Sequence, residues 1–166
     1  NIHGMSLAAL CGLGDPRLTA LYDEPVPVID PGKVAIIGAR DLDLGEKDNL
    51  RSAGALVLSM EQVDRIGMVA ALEQCIEQVS RDVDGIYLSM DLDALDPRFA
   101  PGVGTPVPGG LTYREGHLAC EVVAETGKLI GMDVVEVNPI LDEKNQTAKI
   151  AVEFACSALG SRVWQG

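Results

Sequence analysis

The chain has 166 residues, enough for one compact domain; 47% are apolar but only 4% aromatic, so its core must be aliphatic. Asp and Glu outnumber Lys and Arg by 25 to 13, a net charge of −12. That balance argues against a phosphate-backbone partner and suits metal cations or a positively charged substrate. No apolar run approaches the ~18 residues of a membrane span. The opening NIHGMSLAAL lacks the basic start and long apolar stretch of a signal peptide. Asn1 is not a natural start, which points to a chain that begins inside a longer protein. Cys11, Cys75, Cys120 and Cys156 lie far apart, in apolar and helix-like stretches. This favours reduced, buried thiols in a cytoplasmic protein over a disulfide framework or a zinc site.

Short aliphatic runs alternate with longer amphipathic ones. Residues 34–39 (VAIIGA), 55–60 (ALVLSM), 85–93 (GIYLSMDLD) and 129–137 (LIGMDVVEV) read as strands. Near-continuous apolar strands imply burial on both faces, hence a parallel sheet covered by helices. Residues 69–79 carry Leu72, Ile76 and Val79 at helical spacing. Residues 112–126 open with TYRE, a capping-box pattern in which Glu115 returns a hydrogen bond to the helix start. Residues 142–159 form the longest helix, with Ala148, Val152, Ala155 and Leu159 on one stripe. The alternation gives an α/β class with no internal repeat and no linker.

Ligands of open α/β sheets gather beyond the carboxyl ends of the strands. The first strand runs into RDLD (40–43), the third ends in Asp91 and Asp93, and the fourth ends in Glu136 followed by Asn138 and Pro139. Residues i and i+2 of a strand share a face, so Asp91 and Asp93 aim at one point with Leu92 packed behind. Two such carboxylates repel unless a proton or a cation separates them, and a hard divalent metal is the usual remedy. The plainer alternative is that one aspartate caps a loop while the other is solvated. DLDALD is not an EF-hand, because its fifth position is Leu95 and its sixth Asp96. Asp96, before Pro97, reads as a loop-fixing Asx residue. The Gly/Pro-rich loop 100–110 lacks a P-loop lysine and reads as a rigid, substrate-side loop in which Thr105 is the one hydroxyl. With only His3 and His117, no multi-histidine zinc site can be built; both read as structural when taken alone.

Taken together, these motifs resemble the ureohydrolases, a family that includes arginases and agmatinases. SMDLDALDPRFAPGVGTPVPGGLTYREG (89–116) is similar to the family's signature, and NIHGM (1–5), GARDLDLGE (38–46) and GMDVVEVNP (131–139) resemble arginase blocks in particular. Agmatinases usually differ in the second block and have TPE where this chain has TPV. The resemblance implies a three-layer α/β/α fold with a mainly parallel sheet, residues 1–166 forming the C-terminal part of one catalytic domain. It implies hydrolysis of L-arginine to L-ornithine and urea by a metal-bridging hydroxide at a dinuclear manganese centre (two Mn2+ per complete site).

By the same resemblance Asp91 and Asp93 are metal ligands, Glu136 pairs with the substrate guanidinium, and Thr105 lines the guanidinium site. Asp43 reads the α-ammonium group with support from Glu46, Asn1 lies near the substrate carboxylate, and His3 shuttles protons. Homo-oligomers, trimers or hexamers, are implied as well. The family's GGDH and D-x-H-x-D blocks, which supply the remaining metal ligands, occur nowhere in the chain. The expectations that follow are an inactive isolated chain, a missing N-terminal half as partner, and a gap or rearranged sheet beside the D-x-D strand. Agmatinase activity is the rival within the class. An inactive truncated remnant, serving as an assembly or weak metal-binding module, is the rival outside it.

Overall fold

The computed structural model describes residues 2–21 and 27–164. A 3-10 turn, Ile2–Met5, leads into two short helices, α1 (Ser6–Leu10) and α2 (Pro16–Thr19). Strand β1 (Ala35–Ala39) is joined through helix α3 (Leu44–Ala53) to β2 (Leu56–Ser59), its parallel neighbour. Helices α4 (Met60–Ile66) and α5 (Met68–Ser80) lead to β3 (Ile86–Asp91). Helix α6 (Tyr113–Glu125) returns the chain to β4 (Leu129–Val135), parallel to β3, and α7 (Gln146–Ala158) follows.

All four expected strands form and both pairings are parallel, as the sequence implies. The sheet is broken, however, into two separate pairs, β1–β2 and β3–β4. Among the described residues no strand joins β1 to β3. Two aliphatic cores match the two pairs. One lies under β3 and β4, where Met90, Leu92, Ile150 and Phe154 meet. The other lies under β1 and β2, with Leu58, Val63, Leu72 and Cys75. Helix α6 straddles them, since Cys120 enters the first and Ala119 the second.

Local chemistry sets the helix ends. The capping box expected at Thr112 is present: Thr112 N–H donates to Glu115 Oε2 at 2.7 Å and Glu115 N–H to Thr112 Oγ1 at 3.3 Å. Ser59 and Gln62 form a second box at the start of α4. Gly67, at φ +84°, separates α4 from α5; an L-residue would be strained there.

The stripe expected to face the core on α7 does not do so. Val152 is 64% and Leu159 76% exposed, while Thr147, Ile150, Phe154, Ser157 and Ala158 are buried. The period was right and the phase wrong, because the helix is apolar on two sides. Phe154 decides between them: its ring lies against Gly116 of α6, where a Cβ would collide with it. The thiols differ from expectation too. Cys75 and Cys120 are buried, burial pushing each up to about 11, but Cys156 is exposed and Cys11, in the turn after α1, is half-buried. His117 is structural as read: it is buried, its Nδ1 is 2.8 Å from Ser157 Oγ, and Phe154 meets its ring edge-on.

Candidate functional site

Strand β3 stops at Asp91, so Asp93 does not share a strand face with it. Residues Leu92–Ala94 form a 3-10 turn with Leu92 wholly buried, and the carboxylates are brought together by that turn. Asp91 Oδ1 accepts the Asp93 N–H at 3.0 Å. Thr105 Oγ1 donates to Asp93 Oδ2 at 2.9 Å, so this hydroxyl is already committed to a carboxylate. Asp96 fixes the loop beneath, accepting from Arg98 N–H at 3.0 Å and Gly109 N–H at 2.8 Å. The hydrogen bond from the Arg98 guanidinium first, and then these two amides, hold its carboxyl down at about 2.

The loop is also tied to the far side of β4. Asn138 N–H donates to Gly102 O at 2.7 Å, and Gly102 N–H donates to Thr147 Oγ1 at 2.8 Å. Gly102 has no room for a side chain because Asp142 lies where its Cβ would be. Asp142 in turn accepts from Thr147 N–H and Ala148 N–H, at 2.9 and 3.1 Å, at the start of α7. Glu136 follows β4 in the left-handed region, at φ +66°. That costs a non-glycine residue on the order of 1 kcal/mol and turns the side chain off the strand. His3 Nδ1 lies 3.9 Å from Glu136 Oε1, so the N-terminal turn meets the end of β4.

Burial raises the Asp91 carboxyl to about 6, and the negative charges of Asp93 and Glu136 add to the effect. Among the described residues neither Asp91 nor Asp93 forms an ion pair, and Glu136 has only His3. The result is a cluster of uncompensated carboxylates.

Asp43 and Glu46 stand at the start of α3 in a reciprocal cap, Glu46 Oε2 accepting the Asp43 N–H at 3.3 Å. With His3, Met5, Cys11 and Leu50 they line a cavity of about 1020 Å³. His3 thus belongs to both groups: it faces Glu136 and lines the cavity that holds Asp43. Asn1, expected near a substrate carboxylate, lies outside the described residues.

Sequence reasoning passed over Arg40, Asp142 and Thr147. Arg40 left a signal, as the one cation in RDLD at the end of β1. Thr147 left none, because its role depends on Gly102, 45 residues away.

Two carboxylates suit a hard divalent cation in donor type. Such an ion takes about six oxygen ligands, and among the described residues no group of three or more Asp, Glu, His or Cys is arranged to hold one. The residues present therefore do not fit a complete dinuclear centre.

A model of the Arginase family matches residues 1–160. The arginase of Brevibacillus brevis is 47% identical over 163 residues, 98% of this chain and 54% of that protein. The structure of arginase from Bacillus caldovelox superposes with a TM-score of 0.95 at 50% identity, covering 99% of this chain and 55% of the other. Entamoeba histolytica arginase, solved in complex with L-ornithine, gives 0.87 at 34% identity, covering 97% and 53%. The chain spans about half the length of the relatives it matches, and its two strand pairs are part of their α/β fold. On the family match and these likenesses together, the chain belongs to the arginase family.

Proposed function

We propose that this chain carries the substrate-reading part, and two metal-ligand residues, of an arginase-type amidinohydrolase that converts L-arginine to L-ornithine and urea. The observation that carries the reading is the meeting of Asp91, Asp93, Thr105, Glu136 and His3 at the ends of β3 and β4, where among the described residues neither aspartate has an ion-pair partner. A guanidinium is planar and permanently charged, and a carboxylate such as Glu136 can pair with it through two parallel hydrogen bonds. Asp43, supported by Glu46, would take the α-ammonium end across the cavity that His3 also lines. Two manganese ions, when bound, would supply the activated water such a hydrolysis needs. His3, which lies beside Glu136 and lines the same cavity as Asp43, is suited by position to give the leaving amine its proton. Asp91 and Asp93 are the metal ligands in this reading, and residues 1–166 form the C-terminal part of one catalytic domain.

The remaining ligands must then come from polypeptide beyond these residues, and the isolated chain is expected to be inactive. The exposed apolar side of α7, with Val152 and Leu159, supports a homo-oligomer such as a trimer or hexamer. The free thiols suit the reducing cytoplasm. Urea release from L-arginine after Mn2+ loading tests the reading. No urea is expected from the chain alone, and urea is expected once the N-terminal half of a full-length relative is added. Urea from the chain alone, lost on Asp91→Asn, would mean that a second copy or this chain itself completes the ligand set. A stable assembly of the two halves that releases none would sink the proposal. In the active assembly Asp43→Ala should raise KM for arginine sharply; an unchanged KM would count against the assignment of Asp43 to the α-ammonium group.

A further inference from the structure

The geometry points to Arg40 as a positioning residue that holds Asp93 and Thr105 in place, by gathering the backbone carbonyls on both sides of the 93–107 loop. Arg40 stands immediately after β1 and is half-buried. Its Nη2 donates to Asp93 O at 2.7 Å, Val107 O at 2.6 Å and Leu95 O at 3.3 Å. Its Nε donates to Val107 O at 3.0 Å and its Nη1 to Ala94 O at 3.3 Å. Among the described residues it forms no ion pair, so its donors serve backbone oxygens alone.

Three consecutive carbonyls turned toward one point repel each other. A planar fork of five N–H donors removes that repulsion, whereas a lysine ammonium has three donors and no plane. Residue 93 is therefore held from three directions. Its N–H goes to Asp91, its carbonyl to Arg40 and its carboxylate to Thr105. The Val107 contact closes the base of the loop two residues after Thr105. Arg40 also crosses the break between the two strand pairs, linking the end of β1 to the turn after β3.

The assignment rests on the proposed function only in naming Asp93 and Thr105 as site residues. Its test is read on the chain by NMR and does not depend on urea formation, so the two readings can fail separately. In Arg40→Lys, the Asp96, Gly109 and Leu111 amides, which bond the start of this loop to the residues just after it, should exchange about tenfold faster, the equivalent of one charged hydrogen bond. Amides inside α7 and β2 should stay unchanged. The Asp93 carboxylate 13C resonance should move toward its position in Thr105→Val, where that hydrogen bond is absent by construction. Millimolar methylguanidinium should restore both signals in Arg40→Ala, and methylammonium should not.

Unchanged loop exchange in Arg40→Lys would overturn the assignment. So would faster exchange with an unmoved Asp93 resonance, which would make Arg40 a loop staple without influence on the carboxylate. If α7 and β2 amides lose protection equally in both variants and methylguanidinium restores nothing, Arg40 is a general stability residue and the assignment is wrong.

Discussion

Asp91→Asn should stabilise the metal-free chain at neutral pH, although it removes a proposed metal ligand. The Asp91 carboxyl is raised from 3.8 to about 6, first by burial and then by the charges of Asp93 and Glu136. A carboxyl whose folded pKa lies above its unfolded value binds more protons in the folded state. Below about pH 4 both states hold the proton and no penalty exists. Between about pH 4 and 6 the unfolded state ionises first, so stability falls as pH rises; above about pH 6 the full penalty remains. Roughly two units correspond to at most ~3 kcal/mol. Asp91 keeps part of its surface in solvent, so screening lowers this to about 1–2 kcal/mol. The amide keeps a carbonyl oxygen that can still accept the Asp93 N–H, so the turn is retained. Urea denaturation in EDTA should show the variant's midpoint about 0.5–1 M higher at pH 7 and unchanged near pH 4, given slopes of about 1–3 kcal/mol per M. A variant less stable at pH 7, or a difference that does not vary with pH, would refute the reasoning.

Further outcomes follow from the packing and from the other perturbed carboxylate. Gly116→Ala should lower stability by about 1–3 kcal/mol despite the better helix propensity of alanine, because the new methyl meets the buried Phe154 ring; a higher Tm would contradict it. Thr147→Val should cost about 1–3 kcal/mol by leaving the Gly102 N–H without its acceptor, with Thr147→Ser much milder, as read by denaturant unfolding. Asp96 should titrate near 2 by 13C NMR, well below Asp91; its folded pKa is lowered, so its contribution is present above about pH 4 and lost as pH falls toward 2. A midpoint at the ordinary carboxylate value would refute the loop-pinning role.

The strands and long helices were legible because their signals are local. Aliphatic runs of four to seven residues, the Thr112/Glu115 box and the turn residues around them need nothing from the rest of the chain. Helix α3 was missed because its residues, LGEKDNLRSA, bury no side chain and show no apolar face; only its cap and the left-handed Gly54 mark it. The phase of α7 was misread because Val152 and Phe154 each offer a plausible core face, and the choice is made by Gly116 on another helix. At the site, sequence gave the identity of the carboxylates but not their geometry. Asp91 and Asp93 meet through a 3-10 turn, not a strand face, and that turn is held by Arg40, more than fifty residues earlier.

In the proposed reading, the missing metal ligands and the break between the strand pairs, as seen among the described residues, fall at the same strand. Parallel strands are normally covered on both faces and paired on both edges within a sheet. Here β3 is paired only with β4 among the described residues, and the face opposite α6 and α7 leaves Tyr87 58% exposed, with Ile130 of β4 at 75%. A strand added on the open side of β3 would satisfy its outward N–H and carbonyl groups. Because strand ends carry the site in such sheets, it would also bring its own terminal side chains beside Asp91. Completing the sheet and completing the ligand set are then one event. Adding the N-terminal half of a relative should slow exchange at β3 amides and tighten Mn2+ binding over the same range of added polypeptide. Tighter Mn2+ binding with unprotected β3 amides would separate the two and show that the ligands arrive from elsewhere.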